Sequence, residues 1–290
     1  MSCVTLDGLS RRKAETNRKG EFSTKNLKTL FIAALLMFLV PGTAVSSGLF
    51  GPPQSLARED GGLNTSIGYG YNEDKFENDG EFVIRQNQVY SQVAYGGARR
   101  LWEVYARIGV ADLEIEDAFH SERASTTSSQ RDFDGNGEVF GALGAKVFYP
   151  LRGIFGVGAF VQSSCFFNDF KDKVSGIQSG QPYSTELKIK NFWDIYSGIS
   201  LQATVPYGVI LYAGPYVYYA EAKASPSRDI PGLQLAAGDD TLNNKTAIGG
   251  FAGVQVPLGK GFSLNLEGQY SERFSGGIAV TYTYQNRGQQ

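Results

Sequence analysis

Five charged side chains interrupt segments that otherwise alternate between apolar and polar residues. They are Glu103, Arg107, Lys146, Asp194 and Glu267. Each lies in the polar half of its alternation, together with amide side chains such as Gln92 and Gln202. An unpaired charge in an enclosed space is costly. If this polar face is enclosed, we therefore expect the five charges to form ion pairs and hydrogen bonds with the amides.

A second group of oxygen donors lies in the segment D-F-D-G-N-G. Asp132, Asp134 and Asn136 stand at alternate positions and Gly137 follows, an arrangement typical of the opening of an EF-hand-like calcium loop. The closing position, where a bidentate glutamate is expected, is Leu143. Asp and Gly also form ordinary turns that precede a strand. Calcium is thus an incomplete candidate ligand, and the sequence predicts no other cofactor.

The sequence offers little for catalysis. His120 is the single histidine, and it is followed directly by Ser121 and Glu122. Three consecutive residues of an extended segment point in different directions, so they do not assemble a triad by themselves. The G-x-S-x-G motif of many hydrolases is absent from the sequence. We therefore predict no catalytic residues.

The elements that position the five charges are strand-like segments with a period of two. We predict about ten of them, at residues 63–72, 81–95, 101–113, 138–149, 153–167, 185–204, 207–222, 245–257, 261–271 and 276–286. A period of two with one apolar face indicates a sheet between two different solvents.

The connections between these segments alternate in length along the chain. Short, Gly- or Pro-containing turns lie at 96–100, 150–152, 205–207 and 258–260, whereas long loops lie at roughly 112–137, 168–184 and 223–244. Long loops on one side and short turns on the other are typical of transmembrane barrels. We predict an all-β, closed antiparallel up-and-down transmembrane β-barrel of about ten strands, with eight or twelve as alternatives. An even number places both termini on the short-turn side.

The first part of the chain resembles an export signal. Residues 30–40 form an apolar run that is too short to span a bilayer, and Lys25 and Lys28 precede it. We predict that residues 1–46 are a removed signal segment and that 47–62 are a short periplasmic lead. Residues 63–286 would form the barrel and 287–290 a C-terminal tail.

Composition excludes some classes of function. The formal net charge is -2, so no basic excess indicates a nucleic-acid partner. Hydrophobic residues make up 42% of the chain, with 36 glycines and 13% aromatic residues. A membrane barrel needs apolar residues at only every second strand position, so this moderate content is compatible with one.

Taken together, the chain resembles the small outer-membrane β-barrel proteins of Gram-negative bacteria, OmpA/OmpX-like or porin-like, over about residues 61–286. The signal segment, the two-residue repeat and the loop rhythm carry the resemblance. The final strand GGIAVTYTY is similar to the aromatic-rich assembly signal of that family, although the chain continues to Gln290. The resemblance implies an outer-membrane location with periplasmic termini. It also implies contacts with outer-membrane lipids, lipopolysaccharide and the barrel assembly machinery.

Four functions compete at this point. The leading interpretation is a structural or surface-interaction barrel whose lumen is plugged by paired charges, with an unknown surface ligand. The second is a narrow porin-like channel for small solutes. The third is a barrel enzyme, either a protease or a lipid-modifying enzyme. The fourth is a soluble secreted β-sandwich.

Overall fold

The computed structural model describes residues 49–77, 81–119, 132–178, 181–230, 233–236, 240–244 and 248–284. All described residues belong to one compact unit. The predicted signal segment 1–46 and the predicted tail 287–290 therefore lie outside the described residues.

Thirteen strands make up one antiparallel sheet within the described ranges. Their bounds are β1 Gly62–Glu77, β2 Glu81–Gly96, β3 Trp102–Ile115, β4 Phe133–Pro150, β5 Phe155–Phe166, β6 Phe170–Gln178, β7 Gln181–Thr204, β8 Ile210–Ile230, β9 Leu233–Ala236, β10 Asp240–Asn244, β11 Ile248–Gly259, β12 Phe262–Tyr270 and β13 Phe274–Thr283.

Ten of these strands close into a ring. The hydrogen-bonded order runs β1-β2-β3-β4-β5-β7-β8-β11-β12-β13, and β13 pairs again with β1. The closing register places Asn64 opposite Thr283 and Tyr71 opposite Gly276. Closure provides hydrogen-bond partners for backbone groups that would otherwise lie at an open edge. The predicted closed up-and-down barrel is confirmed, and its ring contains ten strands.

The short connections are tight turns. Two of them are three-residue 3-10 turns, Ala98–Arg100 and Pro206–Gly208. None of the helices in the described ranges has the length and hydropathy that a membrane crossing requires.

The outer face of the ring carries an apolar belt. On β3 and β7, exposed apolar side chains run from Trp102 to Val110 and from Trp193 to Leu201. Each run covers nine residues, which is about the length of a tilted strand that crosses the apolar layer of a bilayer. Aromatic pairs, Tyr95 with Trp102 and Trp193 with Tyr219, lie towards the two ends of the belt. The inner face carries polar residues such as Gln92 and Glu103 together with aromatic residues such as Phe160. With its apolar belt facing outward, the barrel has the surface of a transmembrane protein.

The strands extend well beyond the belt, which corrects the predicted boundaries. The predicted long loops at 112–137, 168–184 and 223–244 contain parts of β3, β4, β7 and β8 together with β6, β9 and β10. We call the parts of the strands beyond the belt on the long-loop side the outer extension. In the outer extension the polarity of the two faces of the sheet is the reverse of that in the belt. On β3 the outward residues become Asp112 and Glu114, while Leu113 and Ile115 point inward and are buried.

A β-bulge in β7 contributes to the reversal. The register with β8 shifts between Lys190 and Trp193, and Asn191 has a φ of 51°. Inserting one residue changes which side chains face inward. Ile189 and Phe192 are consequently both buried, although a strict two-residue period would place them on opposite faces.

The inward apolar residues of the extension form an outer core. Its buried members are Phe76, Ile84, Leu113, Ile115, Phe119, Phe133, Phe170, Val174, Ile189, Phe192, Ala220, Ala222 and Leu242. This cluster fills the lumen beyond the membrane belt.

Candidate functional site

The residues before the first strand enter the barrel. We call residues 49–57 the plug segment. Leu49, Phe50 and Ala57 are buried, and Phe50 is only 1% exposed. The sequence predicts residues 47–62 as a short periplasmic lead; in its described part, residues 49–57 pack inside the barrel. Sequence reasoning missed the plug because LFGPPQSLA has no strand or helix period.

Glu267 on β12 binds the backbone of the plug segment. Its two carboxylate oxygens accept hydrogen bonds from the N–H groups of Phe50 at 2.9 Å and Gly51 at 2.8 Å. The same carboxylate accepts hydrogen bonds from the hydroxyl of Tyr212 and the amide of Gln269. Gly51 has a φ of 73°, a conformation that glycine adopts without strain. Glu267, which is fully buried, thus has four donors around it.

Glu103 and Lys146 hold the middle and the end of the plug segment. Glu103 accepts hydrogen bonds from the hydroxyl of Ser55 at 2.9 Å and the backbone N–H of Leu56 at 3.3 Å. Lys146 Nζ lies 3.3 Å from Glu103 Oε1 and donates to the carbonyl of Pro52 at 3.4 Å. One buried ion pair therefore also serves as a bridge between the barrel wall and the plug.

Two further wall residues bind the plug backbone or its amide. Arg107 donates to the carbonyl of Leu49 and to Gln92 Oε1. Gln202 accepts from the backbone N–H of Gln54 at 3.2 Å and donates to the side-chain oxygen of Gln54 at 2.8 Å. Polar groups of the plug are thereby matched by partners from several strands, as burial requires.

Phe50 anchors the plug in an aromatic cluster. Its ring centroid lies 4.3 Å from that of Phe160, 5.6 Å from Tyr196, and 5.3 Å from both Tyr216 and Phe251. Buried aromatic groups at such distances contribute substantially to packing. The cluster lies in the centre of the lumen. The buried carboxylates of Glu103 and Glu267 lie on one side of it, and the outer core lies on the other.

Glycines in the wall make room for the plug. A Cβ atom at Gly96 would lie 2.0 Å from Ser55 Oγ, and one at Gly158 would lie 2.3 Å from Pro53 Cβ. A Cβ atom at Gly277 would lie 2.8 Å from Leu49 Cδ2. Since side chains cannot approach this closely, the plug fits against the wall only where these glycines stand.

Little space remains around the seated plug. A cavity of about 30 Å³ lies beside Leu49, Arg107 and Lys146, and one of about 10 Å³ lies near Asp74 and Tyr218. Such volumes hold one or two water molecules. A larger cavity of about 460 Å³ opens at the short-turn end of the barrel.

The structure places all five charged residues of the sequence prediction inside the barrel, and each is buried. Within the described ranges they do not form one network: Glu103 pairs with Lys146, and Asp194 accepts hydrogen bonds from the N–H and hydroxyl of Ser164. Arg107 and Glu267 instead bind the plug segment.

The predicted calcium segment is mainly strand. Asp134 and Asn136 belong to β4, and Asp134 pairs with Glu114 of β3. Alternate residues of an extended strand lie about 7 Å apart, so their oxygens do not wrap around one point. Asp132 accepts a hydrogen bond from the N–H of Asp117. The described residues contain no group of three His, Cys, Asp or Glu side chains suited to a metal. Calcium binding stays a prediction.

His120, Ser121 and Glu122 lie outside the described residues. An enzymatic role based on them is therefore untested by the structure.

Comparison with known proteins gives structural likeness only. The chain matches no known family profile, and no curated protein sequence is significantly similar to it. The translocator domain of the autotransporter NalP from Neisseria meningitidis is 12% identical, with 90% of this chain and 96% of that one covered and a TM-score of 0.45. The outer membrane protease OmpT from Escherichia coli is 10% identical, with coverages of 82% and 99% and a TM-score of 0.47. A COG4313 outer membrane channel from Pseudomonas putida F1 is 10% identical, with coverages of 83% and 100% and a TM-score of 0.34. These values carry no argument about what this chain does.

Proposed function

We propose that this protein is a non-conducting barrel of the bacterial outer membrane that presents its outer extension to the medium as a surface for interactions. One observation carries the proposal: the lumen is filled by the plug segment at the short-turn end and by the outer core at the other.

The membrane location rests on the surface of the barrel. The apolar belt is about as tall as the apolar layer of a bilayer, and its apolar side chains on β3 and β7 are exposed on the outer face of the barrel. Short turns at one end and long extensions at the other are the usual layout of outer-membrane barrels, with the short turns in the periplasm. The predicted signal segment agrees with export.

The two closures supply the argument against conduction. The plug segment makes hydrogen bonds with Glu267, Glu103 and Gln202, and Phe50 is surrounded by aromatic rings. Beyond it, thirteen buried apolar residues pack against one another. A solute would have to displace both regions, which favours a closed barrel over the narrow channel that the sequence left as an alternative.

The surface role rests on the rigidity of the outer extension. Strands β6, β9 and β10 add further pairing to β7 and β8 beyond the ring. On the outer face, Arg85 forms ion pairs with Glu114 and Glu116. A loop or hairpin positioned by such a scaffold is a common place for binding residues.

The proposal can be tested by site-specific labelling in intact cells. In a Cys165→Ser background, which removes the exposed native thiol, one variant carries Ser175→Cys on β6 and a matched one carries Arg152→Cys at a short turn. Both native side chains are exposed. We expect a membrane-impermeant maleimide to label position 175 in intact cells and position 152 only after the outer membrane is permeabilised. Labelling of position 152 alone, or of neither position in permeabilised cells, contradicts the proposed orientation.

A further inference from the structure

We propose that the large cavity at the short-turn end of the barrel binds a small organic anion that also carries a hydrogen-bond donor. We call it the mouth cavity. It lies between the last part of the plug segment and the wall, and its lining includes Leu56, Arg58, Arg100, Ile210, Gln255 and Phe262.

The size of the mouth cavity suits a small molecule. Its volume is about 460 Å³, and sites for small ligands commonly range from about 300 to 1,000 Å³. The two cavities beside the plug and near Asp74 hold only about 30 and 10 Å³. The plug segment forms one side of the mouth cavity through Gln54, Ser55 and Leu56, so the seated plug is part of the site.

The charge of the lining points to an anion. Both charged side chains of the lining are arginines, Arg58 and Arg100. Arg58 Nε lies 3.1 Å from the exposed carboxylate of Asp60. Arg100 Nε is buried and has no hydrogen-bond partner in the described structure. A guanidinium group with free donors binds carboxylate or phosphate with paired hydrogen bonds.

Gln255 points to a donor on the same ligand. Its side chain is 6% exposed, and its amide oxygen Oε1 has no hydrogen-bond partner among the described residues. Buried amide oxygens are nearly always satisfied in proteins. Gln255 lines the mouth cavity, so a rotation of its side chain would bring this oxygen to a hydroxyl or amide group of a ligand there, while Leu56, Ile210 and Phe262 offer apolar contact for the body of the ligand.

This site does not depend on the proposed surface role. The mouth cavity is built by the short-turn end, whereas the proposed function rests on the outer extension and the closed lumen. Labelling in cells tests one and ligand titration tests the other, so each can fail separately.

Calorimetric titration of the full mature protein, folded in detergent micelles, provides the test. Three probes share one scaffold: gluconate carries a carboxylate, glucose 6-phosphate a phosphate, and glucose no charge. We expect saturable binding of at least one of the two anions and weaker or no binding of glucose. The preferred anion then distinguishes a carboxylate ligand from a phosphate ligand.

Variants assign the effect to the mouth cavity. We expect Arg100→Gln and Gln255→Leu each to weaken anion binding by about tenfold or more, because each removes a hydrogen bond to a charged or buried group. Arg58→Gln serves as a second variant should Arg100→Gln fail to fold. Arg152→Gln is the matched control, since Arg152 is an exposed arginine at another short turn and is not part of the lining.

Several results would overturn the site. They are the absence of saturable heat with both anions at millimolar concentration, equal binding of glucose, and unchanged affinity in folded Arg100→Gln or Arg58→Gln protein. Heat-modifiable migration on a denaturing gel establishes that each variant is folded.

Discussion

At the scale of single residues, Glu267 illustrates how the barrel wall binds a segment that has no secondary structure of its own. Its carboxylate accepts the N–H groups of Phe50 and Gly51 from the plug and further bonds from Tyr212 and Gln269 of the wall. The carboxylate thus accepts the backbone N–H groups of the plug, which in a sheet would bind the carbonyl groups of a neighbouring strand.

Substituting Glu267→Gln tests this role. Glutamine keeps the shape but offers one acceptor oxygen instead of two, so a plug N–H loses its charged partner at a cost of about 1.5–3 kcal/mol. We expect amide hydrogen exchange at residues 50 and 51 to accelerate by about ten- to a hundredfold. Asp194→Asn is the control, because Asp194 bonds Ser164 of the wall. Equal protection of the plug in wild type and Glu267→Gln would contradict the assignment.

Gly96 provides a steric test at the other end of the plug. A Cβ atom there would meet Ser55 Oγ at 2.0 Å and Ala57 Cβ at 2.5 Å. We therefore predict that Gly96→Val displaces residues 54–57 and exposes them to protease, while the barrel stays folded. Gly250→Val is the matched control, since among the described residues, apart from its two chain neighbours, the nearest atom to a Cβ at Gly250 lies 3.9 Å away. If both variants show the same cleavage, the close approach at Gly96 is not what seats the plug.

At the scale of elements, the reversal of polarity along each strand defines where the membrane ends. On β2, Val89 and Val93 point outward within the belt, whereas Arg85 is outward and Ile84 is buried in the extension. The same strand thus faces lipid outside and polar groups inside, and then water outside and an apolar core inside. The extension therefore has its own core and is stabilised like a soluble domain.

Ile189 tests the independence of this outer core. It is buried among Phe170, Phe192 and other members of the cluster. Truncation of a buried isoleucine costs roughly 2–5 kcal/mol, and Ile189→Asp adds the cost of burying a carboxylate. We predict that external protease cleaves this variant between residues 170 and 230, while the membrane barrel keeps its heat-modifiable migration. Lys188→Ala, at a partly exposed neighbour, should resist cleavage. Loss of heat-modifiability in Ile189→Asp would show that the extension and the barrel unfold together.

The sequence predicts the ring well because lipid imposes a simple rule. On β12, Phe262 and Leu266 alternate with Asn265 and Glu267, and the structure places the first pair outward and the second pair in the lumen. The strand order follows from the hairpin connections, since consecutive strands of an up-and-down barrel are neighbours. The fold class and the approximate number of strands in the ring were therefore accessible from the pattern alone.

The sequence fails to predict the extension and the plug for two different reasons. In the extension the apolar residues face the lumen instead of the outside, so segments such as 168–184 resemble polar loops. The bulge at Asn191 also shifts the two-residue period within β7. The plug owes its position to partners more than 40 positions away, among them Glu103 and Glu267. No local pattern encodes such contacts, because they depend on closure of the whole ring.

At the scale of the whole molecule, the protein is a barrel closed at two levels by different chemistry. Hydrogen bonds and an aromatic cluster fix the plug segment at the short-turn end. Apolar packing closes the outer end. The mouth at the short-turn end and the outer rim are therefore the two places where we propose that partners bind.

Single-channel recording in planar bilayers tests the closed lumen most directly. We predict that the mature protein produces no stepwise current at any applied voltage that the bilayer tolerates. Labelling of the Ser175→Cys variant in the same membranes verifies insertion. A general porin recorded in the same preparation serves as the positive control. Reproducible, discrete openings of the inserted wild-type protein would contradict the account, because they would require a water-filled path past Phe50 and the outer core.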